Sequence, residues 1–228
     1  MAPALALKGA TIVFDLDGTL VDTAPDLVGT LNQLLVEERL PPLGLDDVRG
    51  MIGHGARVLL GRGLAAAGVP LEGARMDRLF RRFIEVYLGR IARESRPFPG
   101  AVAALDALRA AGARLAVCTN KPTNLSVALL SALDLAARFD AIVGPDAAPA
   151  PKPDPAHLLA AIAKAGGRSD RAVMIGDSAT DAAAARAAGV PLVLVSFGYT
   201  ETPAADLHPD ILIECFDDLP AACERLLA

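Results

Sequence analysis

Apolar and polar positions change rhythm three times along this 228-residue chain. Residues 10–14, Ala-Thr-Ile-Val-Phe, read as a short buried strand. From 23 to about 96 the period becomes helical and strands disappear. Leu27, Leu31, Leu34 and Leu35 recur at three- and four-residue spacing, as do Leu79, Phe83, Val86, Tyr87 and Ile91. Breaks fall at Pro41-Pro42, between Gly53 and Gly55, and at Gly68 and Pro70. After Pro97-Phe98-Pro99-Gly100 the pattern alternates. Helix 100–112 is followed by strand 114–118, helix 122–134, strand 141–143 and helix 155–165. Strand 172–175, helix 179–188, strand 192–195, strand 211–213 and a closing helix 218–227 complete it. Repeated βα units predict an α/β fold with a parallel sheet covered on both faces. The first strand joins that sheet most simply if the helical stretch is an insertion. The expected organisation is a core of 1–20 plus 97–228, with an all-helical cap over 21–96.

Composition supports helices packed on a sheet: 53 % of residues are apolar, only 4 % are aromatic and none is Trp. The net charge of −5 and the absence of any Lys/Arg run longer than two argue against a nucleic-acid partner. Three cysteines, without metal-type spacing, read as reduced thiols, Cys118 being a small buried hydrophobe. The N-terminus lacks the charged start of a signal peptide, and no apolar run approaches membrane-spanning length. The chain is therefore expected to be soluble and cytoplasmic, without a membrane partner. Its oligomeric state cannot be read from the sequence.

Open parallel sheets place their sites beyond the carboxyl ends of the strands. Four polar groups stand there. Asp15 and Asp17, in Asp15-Leu-Asp-Gly18-Thr19, follow the first strand. Thr119-Asn120 follows 114–118, Lys152 follows 141–143, and Gly176-Asp177-Ser178 with Asp181 follows 172–175. This set suits phosphoryl transfer, which needs positive charge and donors around the equatorial oxygens. Lys152 and a Mg²⁺ would supply the charge; Thr119 and backbone N–H groups after Asp15 would supply hydrogen bonds. Asp15, Asp177 and the backbone carbonyl of Asp17 are hard oxygen ligands of the kind Mg²⁺ takes. Each group also has a plainer reading. Asn120 or Ser178 can cap the helix that follows, Asp181 can favour a helix dipole, and Lys152 can be an ordinary solvated lysine.

Asp-Leu-Asp-Gly-Thr, Thr-Asn, Lys-Pro and Gly-Asp-Ser-x-x-Asp, in this order, resemble the motifs of the haloacid dehalogenase superfamily. The resemblance spans nearly the whole chain and implies a Rossmann-like core with a helical cap. It also implies roles. Asp15 would be the nucleophile forming an aspartyl-phosphate, and Asp17 the acid and then the base. Thr119 and Lys152 would hold the phosphoryl group, with Gly18, Thr19 and Asn120 around it. Asp177 would bind Mg²⁺, supported by Asp181 and Ser178.

Within the superfamily, Asp17 argues against dehalogenases, which have no alkoxide to protonate. The phosphonate-cleaving enzymes need a cap lysine as a Schiff base, and no lysine occurs between Lys8 and Lys121. Sugar phosphomutases usually show Val where Thr19 stands. Phosphatases remain, and the similarity is to bacterial phosphoglycolate phosphatases. It rests on Gly53-His54-Gly55, Thr119-Asn120-Lys121-Pro122, Gly176-Asp177-Ser178, Phe197-Gly198-Tyr199 and Pro209-Asp210. That reading implies hydrolysis of 2-phosphoglycolate, a small phosphorylated metabolite, with His54 and Arg57 as candidates to meet its carboxylate. Other small phosphoesters, pyrophosphate, a mutase, or a binding module on a phosphatase scaffold are the alternatives. The Pro/Ala stretch 144–151 before Lys152 is shorter and less polar than usual in the phosphatases.

Overall fold

A computed structural model describes residues 7–69 and 73–228. The N-terminal segment before Leu7 and the break at Pro70 lie outside the described residues. Strand β1 (Thr11–Phe14) is central in a six-stranded parallel sheet. Its neighbours are β4 (Arg114–Cys118) on one side and β6 (Ala172–Gly176) on the other. Beyond β4 lies β5 (Ala141–Val143); beyond β6 lie β7 (Leu192–Val195) and β8 (Ile211–Ile213). The chain thus builds outward from β1 on one side, returns, and builds outward on the other. This reversal opens a crevice at the carboxyl ends of β4, β1 and β6.

Period-two alternation sorts the strand residues between the two faces. Ile12, Phe14, Leu115, Val117, Val173 and Ile175 enter one core cluster, while Val13, Ala116, Cys118 and Met174 enter another. The first is covered by α5 (Ala101–Ala110), α6 (Thr123–Ala132) and α9 (Leu219–Leu227). The second is covered by α7 (Pro155–Lys164) and α8 (Ala179–Ala188). Because both faces are dry, the strands are nearly uniformly apolar.

Between β1 and α5 the chain forms the cap. It comprises α1 (Ala24–Glu37), α2 (Leu45–Arg49), α3 (Ala56–Ala66) and α4 (Gly73–Leu88). Leu27, Leu31, Leu34 and Leu35 of α1 bury against Leu79, Phe83, Val86 and Tyr87 of α4 in one cluster. Each such side chain is worth roughly 1.5–3 kcal/mol of transfer free energy, so this seam holds the cap together. The α1–α4 ion pair Glu37–Arg82 is exposed and contributes little beside it. The chain crosses between sheet and cap through a two-residue antiparallel ribbon, β2 (Val21–Asp22) against β3 (Arg96–Pro97). Two-residue strands carry no readable periodicity, and the sequence pattern gave no sign of them. Asp26, in the first turn of α1, ties the two crossings. Its buried carboxylate accepts from the Glu94 and Ser95 amides (2.9 and 2.8 Å) and from Ser95 Oγ (2.8 Å). Among the described residues no helix is long and apolar enough to cross a membrane.

Candidate active site

Each strand end delivers one polar group to the crevice. The β1–β6 ladder runs one step past the strand: the Asp15 amide donates to Ile175 O (2.8 Å). Asp15 Oδ1 accepts from the Leu16 amide (2.7 Å) and lies 3.0 Å from Lys152 Nζ. Lys152 also donates to Asp181 Oδ1 (2.6 Å), so this lysine is fully buried between two carboxylates rather than solvated. Its backbone is held as well. The Lys152 amide donates to His157 Nδ1 (3.1 Å), and His157 Nε2, carrying the ring proton, donates to Val143 O (3.1 Å). Burial, aided by the nearby Lys152 charge, holds His157 below its ordinary pKa and favours this neutral ring.

Asp177 completes the cluster. Its Oδ1 accepts from Thr19 Oγ1 and its Oδ2 from the Tyr199 amide, both at 2.7 Å. Asp181 Oδ2 accepts from Ser178 Oγ (2.6 Å) and the Ser178 amide (3.1 Å), so the acid serves the start of α8 and the cluster together. Backbone packing is tight here. Gly18 has φ +85°, and a Cβ on it would lie 2.5 Å from Asp177 Oδ2; a Cβ on Gly198 would also lie 2.5 Å from that oxygen.

Carboxylate oxygens of Asp15, Asp177 and Asp181 lie within 4.8 Å of one another, and all three residues are buried. Burial and mutual repulsion overcome the Lys152 charge and raise Asp15 to about 7. Burial and the charges of Asp181 and Asp15 raise Asp177 to about 8. Lys152 is raised as well: burial alone would lower it, but the two carboxylates more than reverse that. Three buried carboxylates beside one ammonium lack positive charge. An all-oxygen, carboxylate-rich donor set of this kind fits a hard divalent cation.

Asp17 faces the same cavity but has different partners. Both its oxygens accept from Lys121 Nζ (2.8 and 2.9 Å), and Oδ1 also accepts from Thr23 Oγ1 (2.7 Å). The cavity, about 30 Å³, is lined by Asp15, Asp17, Thr119, Asn120 and Lys121 of the sheet side and by Ile52, Gly53, Leu59 and Tyr87 of the cap. Thr119 is buried, and its Oγ1 accepts from the Lys121 amide (3.2 Å), which leaves its proton free to donate.

Several expected site residues stand elsewhere or do something else. Asn120 does not cap α6; its Nδ2 donates to Lys152 O (3.1 Å) and to Gly53 O of the cap (3.3 Å), bridging the two parts. Thr19 bonds Asp177 and is turned toward the acid cluster. Two amides after Asp15 are already engaged: Leu16 donates to Asp15 and Gly18 to Val21 O (3.0 Å). Arg57 is exposed, pairs with Asp77 at 2.5 Å and does not line the cavity; His54 is exposed beside it. An arginine near the mouth of a cap finds a carboxylate on the next helix more readily than a ligand in an apolar cleft. Lys121 and Tyr199, which the sequence pattern carries only as members of longer motifs, also reach the site, Lys121 through Asp17 and Tyr199 through Asp177. A lysine directly after a Thr-Asn strand end, on the chain's way into a buried helix, was the available signal.

A haloacid dehalogenase-like hydrolase family model matches residues 10–189. The chain belongs to the haloacid dehalogenase-like hydrolase family. Among relatives of this hydrolase, the phosphoglycolate phosphatase of Caulobacter vibrioides is 62 % identical over 97 % of this chain and 93 % of its own. That of Agrobacterium fabrum is 47 % identical over 95 % of this chain and 93 % of its own. The crystal structure of a predicted phosphoglycolate phosphatase from Haemophilus somnus superposes with a TM-score of 0.87 at 33 % identity, covering 95 % of this chain and 98 % of that one.

Proposed function

We propose that this hydrolase is a Mg²⁺-dependent phosphomonoesterase that cleaves 2-phosphoglycolate to glycolate and phosphate through an aspartyl-phosphate. The reaction class is carried by one observation: Asp15 stands buried at the end of the central strand, with Lys152 on one oxygen and Asp177 and Asp181 beside it. The substrate is carried by kinship with relatives named phosphoglycolate phosphatase at up to 62 % identity among those compared.

Asp15 attacks phosphorus; its O–P bond forms while the bond to the glycolate oxygen breaks, and Asp17 gives that oxygen its proton. A water then attacks the phosphoryl group, Asp17 takes the water's proton, and Asp15 leaves. Lys152 and Thr119 bind phosphoryl oxygens as charge develops. Asp15, Asp177 and the Asp17 carbonyl would hold Mg²⁺, whose charge offsets the repulsion between carboxylate and phosphate. Asp181, Ser178 and Thr19 orient these ligands, and Asn120 ties the lysine loop to the cap. We place the moving boundary at the β2–β3 ribbon, with 21–96 closing over 1–20 and 97–228 to exclude water. The absence of a disulfide among Cys118, Cys215 and Cys223 supports a reducing, cytoplasmic setting.

Phosphate release from 2-phosphoglycolate, pyrophosphate, β-glucose-1-phosphate and other sugar phosphates tests this, in Mg²⁺ and in EDTA, with Asp15→Asn as blank. A Mg²⁺-dependent preference for 2-phosphoglycolate is expected. Hydrolysis directed elsewhere would overturn the substrate, and turnover by Asp15→Asn would overturn the chemistry.

A further inference from the structure

The cavity above Asp15 has apolar walls from the cap, Leu27, Ile52 and Leu59 among them, and Lys121 is the cation lining it among the described residues. Lys121 is 5 % exposed, and its Nζ sits 4.7 Å from the centre of the Tyr87 ring. The Tyr87 hydroxyl is buried in the same wall and has no hydrogen-bonding partner. A buried, unpartnered hydroxyl costs stability, so its presence in the wall of the cavity above Asp15 points to a group that accepts from it. At rest the acceptor on Lys121 is Asp17, through both oxygens. The acid that must reach the leaving oxygen beside Asp15 is therefore held by Lys121, a lysine that lines the cavity.

We propose that Lys121 and Tyr87 form the receptor for the carboxylate of the substrate, and that Asp17 occupies the lysine until that carboxylate displaces it. This deepens the reading of the site given above and rests on it. One carboxylate exchanges for another on the same ammonium, so the buried cation is never unpaired. Tyr87 Oη donates to the incoming group, and Asp17, still in reach of Thr23, turns toward the leaving oxygen. Phosphoesters without a second anion leave Asp17 on Lys121 and are turned over slowly. Specificity and activation thus come from one contact, supplied by the residue after Asn120 and by the last full turn of α4 rather than by an exposed cap arginine.

The test compares kcat/KM for 2-phosphoglycolate with that for ethyl phosphate, which has the same carbon count and no carboxylate. The wild type, Lys121→Met and Tyr87→Phe are measured in Mg²⁺. The ratio is internal to each variant, so partial misfolding does not enter it. Lys121→Met is expected to lower the ratio about 10- to 100-fold, the worth of one charge-assisted hydrogen bond. Tyr87→Phe keeps the ring and is expected to lower the ratio several-fold while raising Tm, because a buried unpaired hydroxyl is removed. A wild-type ratio near one would overturn the substrate reading and this receptor with it. A high wild-type ratio that persists in both variants would overturn the receptor alone.

Discussion

Gly198 marks where the backbone presses on Asp177, and Gly198→Ala tests whether the acid cluster is as closely set as it looks. The new Cβ would fall 2.1 Å from Asp177 Cβ, 2.5 Å from its Oδ2 and 2.6 Å from its Cγ, where ordinary contact begins at 3.4 Å. Asp177 cannot swing aside freely, since Thr19 Oγ1 and the Tyr199 amide each hold one oxygen at 2.7 Å. Because the shortest contact is to Asp177 Cβ, the backbone of Asp177 or the 197–199 loop must move by roughly an ångström or more, and those bonds are strained with it. Misplacement on that scale costs on the order of 100-fold in turnover. Loss of a support around a metal ligand costs about 10–100-fold in affinity. The strain of overpacking, about 1–3 kcal/mol, lowers Tm by roughly 2–12 °C in a chain of this size. The assay is a Mg²⁺ titration of 2-phosphoglycolate hydrolysis with a melting curve alongside. Gly61→Ala in α3 is the control: its Cβ would meet only the mobile end of Met76, at 3.3 Å, and Ala gains up to about 1 kcal/mol in a helix interior. A Gly198→Ala protein with wild-type Mg²⁺ half-saturation and turnover would refute the placement of Asp177.

The raised pKa values make metal binding pH-dependent. Asp15 and Asp177, at about 7 and about 8, favour the metal-free fold while protonated, a contribution fully present below pH 4 and lost as pH rises through those values. Mg²⁺ must displace these protons, so the rise in Tm on adding Mg²⁺ should grow from about pH 6 to about pH 8; a rise that is flat with pH would contradict the assignment. Asp26→Asn should lower Tm by roughly 4–12 °C: Oδ2 accepts the three bonds from Glu94 and Ser95 and Oδ1 accepts from Arg90 Nε (3.3 Å), so an amide loses the charge behind all four and turns its NH2 against either the guanidinium or the two backbone donors. In the wild type, burial opposes but the Glu94 and Ser95 bonds hold the Asp26 pKa below its ordinary value. Its contribution is therefore present above about pH 4 and lost as pH falls through the lowered value. A melting curve of Asp26→Asn indistinguishable from wild type at pH 7 would remove the ribbon tie.

Long periodic segments were legible because burial imposes the period. The core strands and the helices of the βα units lie within two residues of their expected ends, and strands 114–118, 141–143, 192–195 and 211–213 match residue for residue. The β2–β3 ribbon was not legible, since two residues on each side leave no alternation to read. Asp15, Asp177, Asp181, Thr119 and Lys152 were brought to one crevice by strand order, which βα repetition already implies. What one residue touches was harder to read. Thr19 Oγ1 goes to Asp177, and Asn120 Nδ2 to Lys152 O and the cap, because neighbours distant in sequence reach them first. Lys121 and Tyr87 lie 34 residues apart, one past the end of a sheet strand and one on a helix of the insertion, and only tertiary packing makes them one surface.

The central claim is that Asp15, and not a water or Asp17, attacks phosphorus. The direct measurement is acid quench during turnover of 2-phosphoglycolate, borohydride reduction, and peptide mapping by mass spectrometry. Reduction of an acyl phosphate converts that aspartate to homoserine. Homoserine at position 15 alone, dependent on substrate and Mg²⁺, is the predicted result. Homoserine at position 17, or none under conditions where phosphate is being released, would contradict it.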